Sequence, residues 1–173
     1  MLNKRTVLMG GLFLLTLGLG AQPLGPLTAT SLTGRSTVVP VSEKVTVLVV
    51  SFSQKGGEGT KVWGERFVRE FGTHPRVACY AVAVLAAVPG PLRGMVVGFI
   101  QGSTPVADRG RFLTTFTDED AWKTAAGFRG PDDTYVVIVD PRGTVVRTFH
   151  EPFSEGAYVA AAEVVRSLAG AAP

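Results

Sequence analysis

The chain has 173 residues, 46% of them hydrophobic, which is one domain's worth with apolar content for a sizeable core. Its 17 Lys and Arg against 14 Asp and Glu give a net charge of +3. Two of those cations, Lys4 and Arg5, sit at the extreme N-terminus, and no Lys/Arg run elsewhere supplies the electrostatic footprint of a nucleic-acid binder. One cysteine, Cys79, excludes an internal disulfide and leaves the compartment open.

In chain order, Lys4 and Arg5 precede VLMGGLFLLTLGL and the small residues Gly20-Ala21. A basic region, a short apolar region and small residues form a secretory signal pattern, so residues 1–21 are expected to be a signal peptide or, if uncleaved, an N-terminal membrane tether. The mature chain is then expected outside the cytoplasm, in the periplasm or on the extracellular face. With no Cys near this region, a lipoprotein anchor is excluded. Residues 22–36 read as an N-terminal extension leading into a hairpin that turns at Gly34, and residues 37–170 as the domain proper.

Val45 to Phe52, VTVLVVSF, is an unbroken apolar run rich in β-branched residues and is expected to be a strand buried on both faces. A loop, SQKGGEG, is expected next, then a helix with Val62, Trp63, Phe67, Val68 and Phe71 at helical spacing. VACYAVAVL (77–85) reads as a second interior strand. Pro91 opens a helix over MVVGFIQG, in which Gly94 and Gly98 each cost about 1 kcal/mol relative to Ala. RFLTTF (111–116) reads as a short strand or extended connector. Thr117-Asp118-Glu119-Asp120 is expected to cap and start a helix ending near Gly127. TYVVIVD, Pro141-Arg142-Gly143 and TVVRTF form an antiparallel hairpin. Ser154 caps a last helix that presents Tyr158, Ala161, Ala162, Val165 and Leu168 on one face. The expected order is β, β, α, β, α, β, α, β, β, α.

Two stretches at the right separation carry a resemblance: LTATSLTGRSTVVPVSEKVTVLVVSF and TYVVIVDPRGTVVRTF. With the element order, they make the segment from Leu27 to Leu168 similar to the thioredoxin superfamily, in its TlpA/ResA-type and peroxiredoxin-like branches. The resemblance implies an α/β fold, a three-layer sandwich with a central mixed sheet flanked by helices. Redox-active members carry a CxxC or a peroxidatic Cys in the loop after the first central strand and a cis-proline before the hairpin strand. Here those positions hold Ser53, Gln54, Lys55, Gly56, Gly57, Glu58, Gly59 and Thr60 on one side and Thr134 on the other. The chain is similar in this respect to cysteine-less members, notably the mitochondrial ATP-synthase assembly factor family and its bacterial relatives, through VPGPLRG and YVVIVD. What this implies is a redox-inactive binding or assembly factor, chaperone-like, with a protein or membrane-protein client at the degenerate redox loop and Thr134, no cofactor and no metal. The alternative is a thiol oxidoreductase or peroxidase that uses Cys79.

Other candidate sites have plainer readings. Cys79 on an apolar strand behaves as a small hydrophobe whose thiol pKa burial raises. Lys55 to Thr60 at a helix N-terminus has the dipole and free amides to hold an anion, but its spacing is neither nucleotide fingerprint. His74 and His150 stand alone, without a metal-ligand set. Asp118, Glu119 and Asp120 cap a helix, Asp132, Asp133 and Asp140 flank turns, and Trp63, Tyr80 and Trp122 read either as packing residues or as an exposed aromatic patch for a partner.

Overall fold

A computed structural model describes residues 22–150 and 152–170; the signal or tether expected over 1–21 lies outside the described residues. The strands are β1 (Gln22–Pro23), β2 (Leu27–Ser31), β3 (Ser36–Val39), β4 (Val45–Ser51), β5 (Val77–Val84), β6 (Phe112–Thr115), β7 (Thr134–Val139) and β8 (Thr144–Phe149). The α-helices are α1 (Gln54–Phe71), α2 (Arg93–Ser103), α3 (Glu119–Ala126) and α4 (Glu155–Gly170), and a 3-10 turn, Gly90–Leu92, leads into α2.

All eight strands join one mixed sheet in the order β1-β8-β7-β4-β5-β6-β2-β3. β4 is its centre. Every residue from Val45 to Ser51 is buried, as the unbroken apolar run requires. It pairs in parallel with β5, Val47 opposite Cys79, and antiparallel with β7, Leu48 opposite Val137. Because side chains alternate along a strand, Val45, Val47 and Val49 face one side and Leu48 and Val50 the other. The first face packs against Trp63, Phe67 and Phe71 of α1 and Tyr158, Ala161, Ala162 and Val165 of α4. The second packs against Trp122, Ala125 and Ala126 of α3 with Tyr135 and Val137. This is the mixed sheet between helical layers that the sequence led us to expect.

Both hairpins form at the expected turns, with Gly34 and Gly143 at φ 84°, a conformation that favours glycine. β3 is the sheet's edge, and the two-residue β1, which no sequence signal marked, pairs with β8 at the other edge. Ser154 caps α4 as read, its Oγ accepting from the Ala157 amide at 3.1 Å.

One capping expectation fails. Thr117 does not cap α3: its hydroxyl donates to Asp118 Oδ2 at 3.0 Å, and Asp118 takes the cap position in the left-handed region at φ 58° without a side-chain bond to a helix amide. The first-turn acid is held instead by an ion pair, Glu119 to Lys123 at 2.8 Å. Among the described residues no helix is long and apolar enough to cross a membrane.

Candidate functional site

The stretch expected to be a loop is helix. Ser53 is the N-cap, extended at φ −144°, and α1 begins at Gln54, so Lys55 to Thr60 make up its first two turns. Three glycines in five residues read as a loop because glycine disfavours helix interiors. What overrides that propensity is packing. A Cβ on Gly56 would stand 2.7 Å from the Asp133 carbonyl oxygen, and one on Gly59 would overlap Thr134 Oγ1. The two glycines are three residues apart, on one helical face, and they let the start of β7 lie directly against the backbone of α1. That spacing was the signal in the sequence that a loop reading passes over.

The polar groups around this contact are spent on one another. Ser53 Oγ accepts from the Gly56 amide at 3.1 Å and donates to Asp132 Oδ1 at 2.9 Å. Lys55 Nζ lies 3.6 Å from Asp132 Oδ2. Thr134 Oγ1 donates to the Gly56 carbonyl at 2.6 Å, and Thr60 Oγ1 reaches the same oxygen at 3.2 Å. Thr134 itself is fixed from behind. The Tyr135 hydroxyl accepts from the amides of Arg129 and Gly130, at 2.9 Å each, and donates to the Gly130 carbonyl, while Phe52 meets Phe128 and Tyr135 edge-on. The structure therefore brings the predicted residues Ser53, Gly56, Gly59, Thr60 and Thr134 together as a closed joint between α1 and β7. Gln54, Lys55 and Glu58 point to solvent, and Gly57 is half-buried. Asp132, read from sequence as a turn residue, is part of this joint.

Cys79 is elsewhere. Its register partner is Val47, whereas Ser51, next to the α1 cap, pairs with Ala83, so the thiol sits four residues down the strand, roughly 13 Å from the head of the helix. It is 9% exposed within the core under α1. Burial pushes the thiol up to about 12, with the charge of Arg111 pulling the other way. A thiol so placed is not a nucleophile near neutral pH.

Beside the closed joint lies an open feature that the sequence reading missed. A groove of about 1060 Å³ runs between α1 and α2 over β5. Its walls include Phe67, Val68, Val84, Phe99, Ile100 and Phe112, and its upper end reaches Ser53, Leu85 and Val88. α2 forms the outer wall and has no buried residue; Met95 is 66% and Phe99 71% exposed. The available signal was α2 itself, since a helix apolar around most of its circumference is ordinarily covered.

The remaining candidates take structural roles. His74 Nδ1 accepts from the Arg76 amide at 3.2 Å, and Asp140 Oδ1 accepts from the amides of Arg142 and Thr144 in the hairpin turn. Trp63 and Trp122 are fully buried, and Tyr80 is half-buried. Among the described residues no group of three or more His, Cys, Asp or Glu is placed to hold a metal ion.

No protein-family model and no curated protein sequence matches the chain. Solved structures do match in shape. BsSco, a member of the Sco family of cytochrome c oxidase assembly proteins, is similar with a TM-score of 0.61 at 12% identity, over 88% of this chain and 96% of that one. A thiol:disulfide interchange protein of the thioredoxin family from Chlorobium tepidum TLS matches with 0.57 at 10% identity, over 88% and 99%. A peroxiredoxin-like protein from Aquifex aeolicus matches with 0.55 at 12%, over 83% and 86%. With a mixed eight-stranded sheet and four α-helices among the described residues, and with these neighbours, the chain has the thioredoxin-like fold.

Proposed function

We propose that this is a redox-inactive thioredoxin-fold protein of the cell envelope that acts as a binding or assembly factor, holding an apolar segment of a client protein in the groove between α1 and α2. One observation carries the reading. The head of α1 has no thiol and is locked shut by Thr134, while an open apolar groove begins directly beside it at Ser53, Leu85 and Val88. Chemistry has no purchase at the closed joint, and apolar surface of this extent beside it has the character of a protein-binding site. The place of the client thus shifts from the redox-loop residues themselves to the groove they border. That BsSco belongs to a family of assembly proteins supports the role, and the basic-then-apolar pattern of residues 1–21 supports export.

The test is in-cell photo-crosslinking from Val88 and Gln54, both of which line the groove, with the outward turn residue Arg142 as control. The expected result is a discrete adduct with another protein from Val88 and from the exposed Gln54, but not from Arg142. Adducts no stronger than the control from both positions would remove the proposal.

A further inference from the structure

Along the flank of α1 that borders the groove run Glu58, Lys61, Glu65 and Arg69, all exposed. Spaced three or four residues apart, they form a single ridge. None of the four is in an ion pair among the described residues, although Lys61–Glu65 and Glu65–Arg69 have the spacing for one; the ion pairs of α1 are made by Lys55, Arg66 and Glu70. Across the groove, α2 and its flanks expose Leu92, Met95, Phe99 and Val106. A charged ridge without partners and an apolar wall without cover lie side by side.

We infer that a second copy of this chain covers both, through a two-fold interface in which the α1 ridges run antiparallel. The order acid, base, acid, base reverses sign about its midpoint. An antiparallel second copy therefore sets Glu58 against Arg69 and Lys61 against Glu65, and the two-fold axis repeats both pairs. The two pairings agree in register to within one residue, a helical rise of about 1.5 Å. A parallel arrangement would set acid against acid and base against base, which is disfavoured. An anionic lipid surface would meet Glu58 and Glu65 with like charge. A stable dimer buries roughly 800 Å² per copy, so a second copy has to cover the ridge and the apolar wall together. The inference rests on the reading of the groove as a protein-binding surface and names its resting occupant, which a client would have to displace.

Sedimentation of the full chain over a wide concentration range tests it, with circular dichroism to confirm that each variant is folded. The wild type is expected to be a concentration-dependent dimer. Phe99→Ser, at an exposed position, should give monomer. Glu58→Lys should weaken the dimer about tenfold, and adding Arg69→Glu should restore it, because the swap re-forms the pair with its sign reversed. A chain that is monomeric throughout, a charge swap that does not restore the dimer, or a monomer that cosediments with anionic vesicles would each overturn the inference. Client adducts from Val88 in a monomeric chain would sink the dimer alone, whereas a monomer with no adduct would sink the binding reading as well.

Discussion

Gly59 and Thr134 show how side-chain size at two positions decides what the head of α1 can be. Gly59→Ala puts a methyl group into Thr134 Oγ1. It is expected to destabilise the fold by about 1–3 kcal/mol in chemical denaturation, despite alanine's better helix propensity. Thr134→Ala in the same chain removes the overlapping hydroxyl and should recover part of that loss, a coupling that a plain helix-propensity effect would not produce. Cys79 belongs to the same scale. With its thiol at about 12 and its side chain in the core, iodoacetamide should leave the native protein unlabelled at mildly alkaline pH and label it once denatured. Insulin reduction and peroxide consumption should be near zero and equal in wild type and Cys79→Ala. Activity lost in the variant would restore the thiol-enzyme alternative.

Among the elements, α1 and α4 are tied by a polar cluster at the edge of their apolar contact. The Tyr158 hydroxyl donates to Glu70 Oε2 at 2.6 Å, Arg166 Nε donates to Glu70 Oε1 at 2.9 Å, and Arg66 donates to Glu155. Burial pushes the Glu70 carboxyl up, but the Tyr158 hydroxyl and Arg166 outweigh it, and the group ends below its ordinary value of 4.5. The native state therefore gains stability from Glu70 above that value, and the gain is lost as pH falls through the lower folded value. Tyr158→Phe is expected to cost about 1–2 kcal/mol at neutral pH, the lower part of the range for a hydrogen bond to a charged group because Glu70 is partly exposed, and to flatten the acid limb of the stability curve below 4.5. α2 behaves differently. It buries no residue, and Gly94, Gly98 and Gly102 have open space around them. Its amides should exchange faster than those of α1 and α4, and Gly98→Ala should slow them by raising helix propensity.

The strands and most helices were legible because their signals are local: the unbroken run of β4, the spacing of Trp63, Phe67 and Phe71, the Pro/Gly hairpin turn. The first turns of α1 were not, because contact with a strand 78 residues away decides them, Thr134 against Gly56. Thr117 misled for the opposite reason: a good capping residue stands one position before the place the backbone uses.

At the scale of the whole molecule, the thioredoxin-like sheet was legible in sequence while the groove was not. The groove exists because α2 stands away from the sheet, and its apolar side chains read alone like any other core helix. Protein binding by this fold without thiol chemistry, the function proposed above, is checked by photo-crosslinking from Val88 in cells, in wild type and in Cys79→Ala, with adducts resolved under reducing conditions. The same protein adduct is expected in both. No adduct above background, or one that disappears with Cys79, would overturn that function.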